Sequence, residues 1–494
     1  MSVNIVWLKR DLRVTDHNAL HYAANDGLPI IVLYVVEPDY WNLEDTSARQ
    51  FTFIKESLKS LAKNLESRQF NLTVRKGSVT EILSNIMKHV AINKLLSHEE
   101  TGNSWTFNRD IEVKKWAREN KVVWKEFKQK PVIRGNLNRD KWQERAIEFF
   151  DDKPLSIPSG HSFLPRTTGL ELLDCYCGND NFFANDCQTG GIESAHTVLN
   201  SFLESRVKDY LYGISSPLKS VRSSSRLSPY LAYGVLSLKD VMQKAWQISD
   251  ELGSRNKSGF VSRLFWHSHF IQKFETEPSH EYQAVNKSFD LMRRNEFDQD
   301  RFNSWRMGNT GVPFVDACMR MVNHTGWINF RMRAMLTAFS SYHLWLHWQK
   351  PASHLAQMFI DYEPGIHYPQ IQMQSGVTGI NPFRMYNPVK QAEKYDPKNE
   401  FVRKWIPELA HVPNTFVQQP WLYPGLKEDI YPKSESPEIL VKNSRLKIKG
   451  YLATHADPNE KQRVIKTHAS RKRTTNKPKT KSNDKVNKSQ FSLF

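Results

Sequence analysis

The chain has 494 residues, 39% of them apolar, and a formal net charge of +17. That length exceeds what one hydrophobic core usually spans, so two domains are expected, and no run of about 18 apolar residues reads as a membrane helix. The opening Met-Ser-Val-Asn-Ile reads as a strand and not as a basic stretch followed by an apolar block, which argues against a secretory signal and for a cytoplasmic, reducing setting.

The excess charge points to a polyanionic partner, because each phosphate neutralised releases counterions. The alternative is a solvated surface kept for solubility. Part of the charge is local: from Lys461 to Phe494, eleven Lys/Arg stand against one acid, Asp484. The four cysteines cannot staple a chain of this size, with Cys175, Cys177 and Cys187 in one loop-like stretch and Cys318 in a helical pattern. No fourth Cys or close His completes a tetrahedral set, so the expectation is reduced thiols, with neither zinc nor an iron–sulfur cluster.

Residues 1–130 alternate between two periodicities. Asn4 to Leu8, Ile30 to Val36, Leu72 to Arg75, Lys94 to Ser97 and Val122 to Phe127 read as strands. Helical patterns fill 16–24, 48–67, 80–89 and 108–119, with Asp16 and Ser78 as candidate caps. Strand–helix–strand repetition predicts a Rossmann-like α/β domain with a parallel sheet covered on both faces. No GxGxxG follows the first strand, so dinucleotide binding at the usual place is not indicated. From 131 to 191 the periodicity fades among Pro154, Pro158, Gly160, Pro165, Gly178 and Gly190, as in an interdomain linker. Residues 192–455 turn helical, with amphipathic stretches near 192–212, 227–251, 257–276, 312–324 and 328–349, and predict an all-α domain. Over 456–494 apolar residues thin out, and a disordered basic tail is expected.

In the helical half, Ser223, Ser224, Ser225, Arg226, Leu227, Ser228 and Pro229 precede a helix. Clustered hydroxyls and backbone amides there suit an anion, or form only a serine-rich cap. Arg333 and the downstream Asp361 suit a buried, anionic, planar cofactor, although a buried ion pair is often merely structural. Trp266 and Trp327 read equally as core residues.

Four blocks change those odds: Val6-Trp7-Leu8-Lys9-Arg10-Asp11-Leu12-Arg13 with Asp16; Ser225-Arg226-Leu227-Ser228-Pro229 with Leu231, Ala232 and Gly234; Thr325-Gly326-Trp327; and Phe383-Arg384-Met385-Tyr386-Asn387-Pro388. In this order and at this spacing they resemble the signatures of the photolyase/cryptochrome family, over about residues 1 to 425. The resemblance implies an antenna-binding α/β domain, a linker and an α-helical domain holding a U-shaped FAD. By position, Tyr212, Ser224, Ser225, Arg226, Leu227 and Ser228 would hold the phosphates and ribitol. Arg333, Asp361, Tyr362 and Glu363 would lie beside the isoalloxazine ring, and Trp266 and Trp327 near a lesion extruded from the duplex. The implied activity is FAD-dependent, blue-light-driven repair of pyrimidine dimers in DNA, cyclobutane dimers before (6-4) photoproducts, with Trp266, Trp327, Arg333 and His367 catalytic. The alternatives are a cryptochrome-type photoreceptor without repair activity and a non-catalytic flavoprotein that only binds DNA. A monomer is expected.

The chain also departs from the family. Arg263 stands where many members carry Glu or Gln, and His367 where many carry Asn near the flavin. With His267 and His269, that makes proton donation to a (6-4) lesion a second reading. Trp348 matches the middle of the family's tryptophan relay, but Ile371 takes the flavin-proximal place, which leaves Trp345, Tyr368 or Tyr386 to complete a route. His98, Glu99, Glu100, Thr101, Gly102 and Asn103 follow a strand end and suit an antenna, a folate by preference, or form an ordinary polar loop. The last residues, Gln490, Phe491, Ser492, Leu493 and Phe494, resemble the bacterial sliding-clamp binding motif, with Phe491 replacing the usual Leu. A basic tether ending in apolar anchors raises effective concentration at a second site.

Overall fold

The computed structural model describes residues 2–135, 141–156, 158–180, 182 and 186–468. Five parallel strands, β1 Ser2–Leu8, β2 Ile30–Val36, β3 Leu72–Lys76, β4 Ala91–His98 and β5 Val123–Phe127, lie in the order β3-β2-β1-β4-β5. Every residue of β2 is buried, as expected of a parallel strand covered on both faces. The helices Asn18–Asn25, Ala48–Glu66, Val79–Met87 and Ser104–Glu119 return the chain between strands. Ser78 caps its helix as expected, accepting from the Glu81 N–H.

The strand order reverses between β1 and β4, which opens a crevice at their carboxyl ends. Protein fills it. His17, not Asp16, caps the first helix: its Nδ1 accepts the Leu20 N–H at 3.1 Å, so its proton sits on Nε2, 3.2 Å from Asp11 Oδ2. His98 Nδ1 lies 2.7 Å from the same oxygen. Burial alone would raise the Asp11 pKa, but hydrogen bonds from His17 and His98 hold it well below the carboxylate range. The trio is a closed polar cluster, with His98 hydrogen-bonded to Asp11 and the capped tautomer of His17 turning a proton and no lone pair toward it. Asp16 instead accepts from the Leu155 N–H and the Ser237 hydroxyl, tying the linker and helical half to the sheet.

The linker carries a helix that its fading periodicity did not announce, Trp142–Asp151, with Ala146 and Phe150 buried and Phe150 edge-on to Trp246. Downstream, the helices include Ile192–Glu204, Leu238–Trp246, Ser254–Thr276, Pro313–Thr325, Phe330–Ala338, Gln349–Met358 and Pro364–Gln374. The stretch 328–349 is not one helix. It passes into a π turn at Phe339–His343 and stops at Trp345, whose φ is 55°. Residues 458–468, expected within a disordered tail, form the helix Pro458–His468. It docks through Arg463 and His468, 3.1 and 2.7 Å from the Glu277 carboxylate, and through buried Val464. These are mostly polar ties, which a count of apolar residues misses. Among the described residues, no helix is long and apolar enough to cross a membrane.

One hydrophobic cluster runs from Val6 on β1 to Leu264 in the helical half, so the two halves share a core. Arg49 adds a polar tie, its guanidinium donating to the carbonyls of Val322, Asn323 and Met358 at two helix C-termini. Beside it, Gln50 donates to the carbonyls of Ala356 and Phe359. The α/β half thereby holds the segment that carries Asp361.

Candidate cofactor and substrate pocket

Three helices each turn one stripe toward a common cavity. Arg263, Trp266, His267 and Phe270 come from Ser254–Thr276, Phe330, Arg333, Ala334 and Thr337 from Phe330–Ala338, and His367, Gln370, Ile371 and Gln374 from Pro364–Gln374. The spacing is the i, i+3, i+4, i+7 of a single helical face. The turn Ser224–Ser228 and the segment Phe359–Glu363 close the remaining walls. Trp327 enters because Gly326 ends its helix in the left-handed region at φ 68°, where an added Cβ would meet Ile360 Cγ2 at 2.6 Å and Cys187 Sγ at 2.9 Å.

Charge in the cavity is unbalanced toward the positive. Arg333 pairs with Asp361 through two 2.9 Å hydrogen bonds and lies over the Phe359 ring. Glu363 is directed elsewhere: its Oε2 is 2.7 Å from Lys130 Nζ and 3.8 Å from Arg10 Nη1, while Oε1 has no partner among the described residues. Arg226 lies 3.8 Å over the Trp327 ring and Arg263 3.9 Å over the Trp266 ring, and neither meets a carboxylate among the described residues. Burial, and less strongly the charge of Arg333, pushes Arg226 down to about 10.

The turn adds backbone donors. Arg226 has φ 60° and Leu227 follows at φ −90°, ψ −9°. Successive N–H groups in such a left-then-right pair form a concave anion seat. Among the described residues, the amides of Ser225, Arg226 and Leu227 donate to no protein acceptor. Guanidiniums without a carboxylate partner among the described residues, amides without a protein acceptor and aromatic walls fit a ligand with an anionic bridge and a planar ring.

The pocket histidines are neutral. Desolvation pushes His267 down to about 3 and His367 to about 4. His367 Nε2 donates to the Ala352 carbonyl at 2.9 Å, leaving Nδ1 as an acceptor, and His267 Nδ1 has no partner among the described residues. His269 lies outside the cavity, edge-on to Trp142.

The structure thus brings together Ser224, Ser225, Arg226, Ser228, Trp266, Trp327, Arg333, Asp361, Tyr362, Glu363 and His367. Two expected members are elsewhere. Tyr212 is 73% exposed in an outer cleft, beside Lys219, and Tyr210 lines the pocket instead. Two helical steps rotate a side chain by about 200°, so Tyr210 and Tyr212 face opposite ways. Leu227 is 1% exposed and packs into the core. Trp348 and Trp345 are buried in the core of the helical half and do not line the cavity, whereas Ile371 does. Sequence reasoning missed Asn329, Phe330, Gln370 and Gln374, which the helical stripes would have supplied. Gln490, Leu493 and Phe494 lie outside the described residues.

The loop chosen for an antenna is occupied by its own contacts. His98 binds Asp11, Glu100 pairs with Arg109 and Arg10, and Asn103 caps a helix and donates to Asp45. The cavity beside them is about 40 Å3, little more than one water's share of liquid volume at roughly 30 Å3.

A family model described as DNA photolyase matches residues 4–141, and one described as the FAD binding domain of DNA photolyase matches residues 260–467. A deoxyribodipyrimidine photo-lyase of Vibrio cholerae is 28% identical over 461 residues, covering 87% of this chain and 95% of that protein. A cryptochrome DASH of Synechocystis sp. is 26% identical over 447 residues, covering 85% and 90%. The crystal structure of a bacterial class III photolyase from Agrobacterium tumefaciens has the same fold, with a TM-score of 0.81 at 23% identity over 92% of this chain and 98% of that one. The cofactor is FAD, and the chain belongs to the photolyase/cryptochrome family.

Proposed function

We propose that this protein is a light-driven DNA lyase that splits cyclobutane pyrimidine dimers extruded from DNA into the pocket. The observation that carries the reading is the engagement of His367, which spends its Nε2 proton on the Ala352 carbonyl at 2.9 Å, while burial pushes His267 and His367 down to about 3 and 4 and so favours their neutral forms. A neutral imidazole is a poor acid for the proton transfer that a (6-4) photoproduct demands. Opening a cyclobutane ring breaks two carbon–carbon bonds with no net proton. The chemistry the flavin supplies when bound is an electron lent under light and taken back.

The remaining work falls to the chain. Ser224, Ser225, Arg226 and Ser228 would seat the phosphates, and Arg333 with Asp361 would place a fixed charge beside the ring, one of the protein's levers on a cofactor. Trp266 and Trp327 offer stacking faces for a flipped base, each with a guanidinium over the ring. Arg263, a donor with no acceptor capacity, suits pyrimidine carbonyl oxygens. The basic carboxy-terminal residues, ending in Gln490, Leu493 and Phe494, would recruit a bacterial sliding clamp.

Arg263 also favours the alternative, a blue-light photoreceptor without repair activity, because many relatives place an acid or amide there. Illuminating the purified, reduced protein with a cyclobutane-dimer oligonucleotide and a (6-4) oligonucleotide in parallel separates the readings. Restoration of the first alone is expected. Restoration of the second overturns the lesion assignment, and restoration of neither leaves light sensing.

A further inference from the structure

We propose that Arg206 sets the anion seat of the pocket from outside it, as a positioning residue acting on backbone alone. The proposal rests on the flavin reading of that pocket. The guanidinium spends every donor on a neutral oxygen: Nε on Ser201 Oγ at 2.8 Å, Nη2 on the carbonyls of Val198 at 2.9 Å and Ser225 at 3.3 Å, and Nη1 on those of Arg222 at 3.4 Å and Ser224. No carboxylate pairs with it among the described residues, and burial is the one influence on its charge.

Peptide planarity turns this grip into function. In a trans peptide the carbonyl of one residue and the N–H of the next point to opposite sides, and no peptide bond here is cis among the described residues. Drawing the Ser224 and Ser225 carbonyls onto Arg206 therefore turns the Ser225 and Arg226 N–H groups away from it. Arg206 lines the outer cleft, whereas Ser224 and Ser225 line the pocket and not that cleft. The Ser225 and Arg226 amides, left without protein acceptors among the described residues, therefore face away from Arg206, on the side of the turn where Ser224 and Ser225 line the cavity, while the Arg226 residue lines both cavity and cleft. The same tie holds Arg226 at φ 60°, a conformation that a residue with a long side chain rarely adopts unaided. Gln188 Nε2, donating to the Arg226 carbonyl at 2.9 Å, secures the other side of the turn. The seat so formed suits the two-phosphate bridge of a dinucleotide and offers nothing to a flavin that lacks phosphate.

The test compares FAD with riboflavin, which keeps the ring and has no phosphate. In Arg206→Gln the Kd for FAD should rise about tenfold or more, the loss of roughly one charge-assisted contact, while that for riboflavin stays within about twofold of wild type. Arg206→Lys keeps the charge but not the planar fork, so it should resemble the Gln variant. Unchanged FAD affinity in the Gln variant, an equal loss for both flavins, or full rescue by Lys would each overturn the proposal. Wild-type protein that takes up no FAD would instead bring down the flavin reading itself.

Discussion

The Arg333 guanidinium and the Asp361 carboxylate meet fork to fork, Nη1 on Oδ1 and Nη2 on Oδ2, each at 2.9 Å. Their burial is unequal: the Asp361 side chain is 3% exposed and that of Arg333 25%. Removing the cation strands a buried charge, whereas removing the carboxylate leaves a guanidinium that still reaches the open cavity. Arg333→Gln should therefore lower stability by about 3 kcal/mol and Asp361→Asn by clearly less. The double variant should cost less than the two single effects added, because the stranded charge is gone. Urea unfolding at saturating FAD reads all three, and strict additivity would show that the pair is not coupled.

Glu363 does for the two halves what Asp361 does within the pocket. Its Oε2 is 2.7 Å from Lys130 Nζ at the end of the α/β half and 3.8 Å from Arg10 Nη1 after β1, and the Arg10 guanidinium also donates to the Tyr362 carbonyl. Glu363→Gln leaves two buried cations facing a neutral amide, at a cost of about 3 kcal/mol. Since the tie holds the segment that carries Asp361, FAD release on heating should shift downward more than the loss of helical signal does. Equal shifts in flavin fluorescence and circular dichroism would place the effect in the global fold instead.

What could be read beforehand divides by physical cause. β2 was legible to the residue because seven consecutive buried apolar positions leave no ambiguity of period or end. Helix Pro458–His468 was not, since arginine and histidine ties to Glu277 hold it and apolar surface contributes little. In the pocket, Arg333, Asp361 and the Ser224–Ser228 turn lie on motifs dense enough to fix numbering. Tyr212 stands apart from those motifs, on the outward face of the turn Tyr210–Gly213, a side that the sequence does not announce. The redirected carboxylate of Glu363 depends on Lys130, which is 233 positions away, a contact that no local pattern encodes.

The clamp motif makes a prediction independent of the pocket. Deleting residues 490–494 removes Gln490, Leu493 and Phe494 while leaving the basic stretch before them. Binding to an immobilised bacterial sliding clamp should be abolished, and repair of naked oligonucleotides should keep its rate. On clamp-loaded DNA the deletion should slow repair, because tethering acts through effective concentration and not through chemistry. Clamp binding that survives the deletion would assign recruitment to another surface.

Acid should unfold the protein earlier than its carboxylates alone would dictate. Burial pushes His98, His343 and His354 down to about 3, and His347 and His367 to about 4. Each is neutral when folded and returns to about 6.5 when unfolded. As the pH falls below about 6.5 the unfolded chain binds protons that the fold refuses, so this stability, fully present above that pH, is lost at up to about 1.4 kcal/mol per pH unit per group. Glu37, Glu275 and Glu281 act in the opposite sense. Burial raises each to about 7, so their contribution is fully present below the ordinary carboxylate pKa and is lost as the pH rises toward 7. They offset part of the histidine loss on the way down and can offer no more below about pH 4.5, where the histidines are still losing. The urea midpoint should thus decline gently from pH 6.5 and steeply below about pH 5. His367→Asn should make the acid limb shallower by one proton, and a limb of unchanged slope would show that His367 titrates normally in the fold.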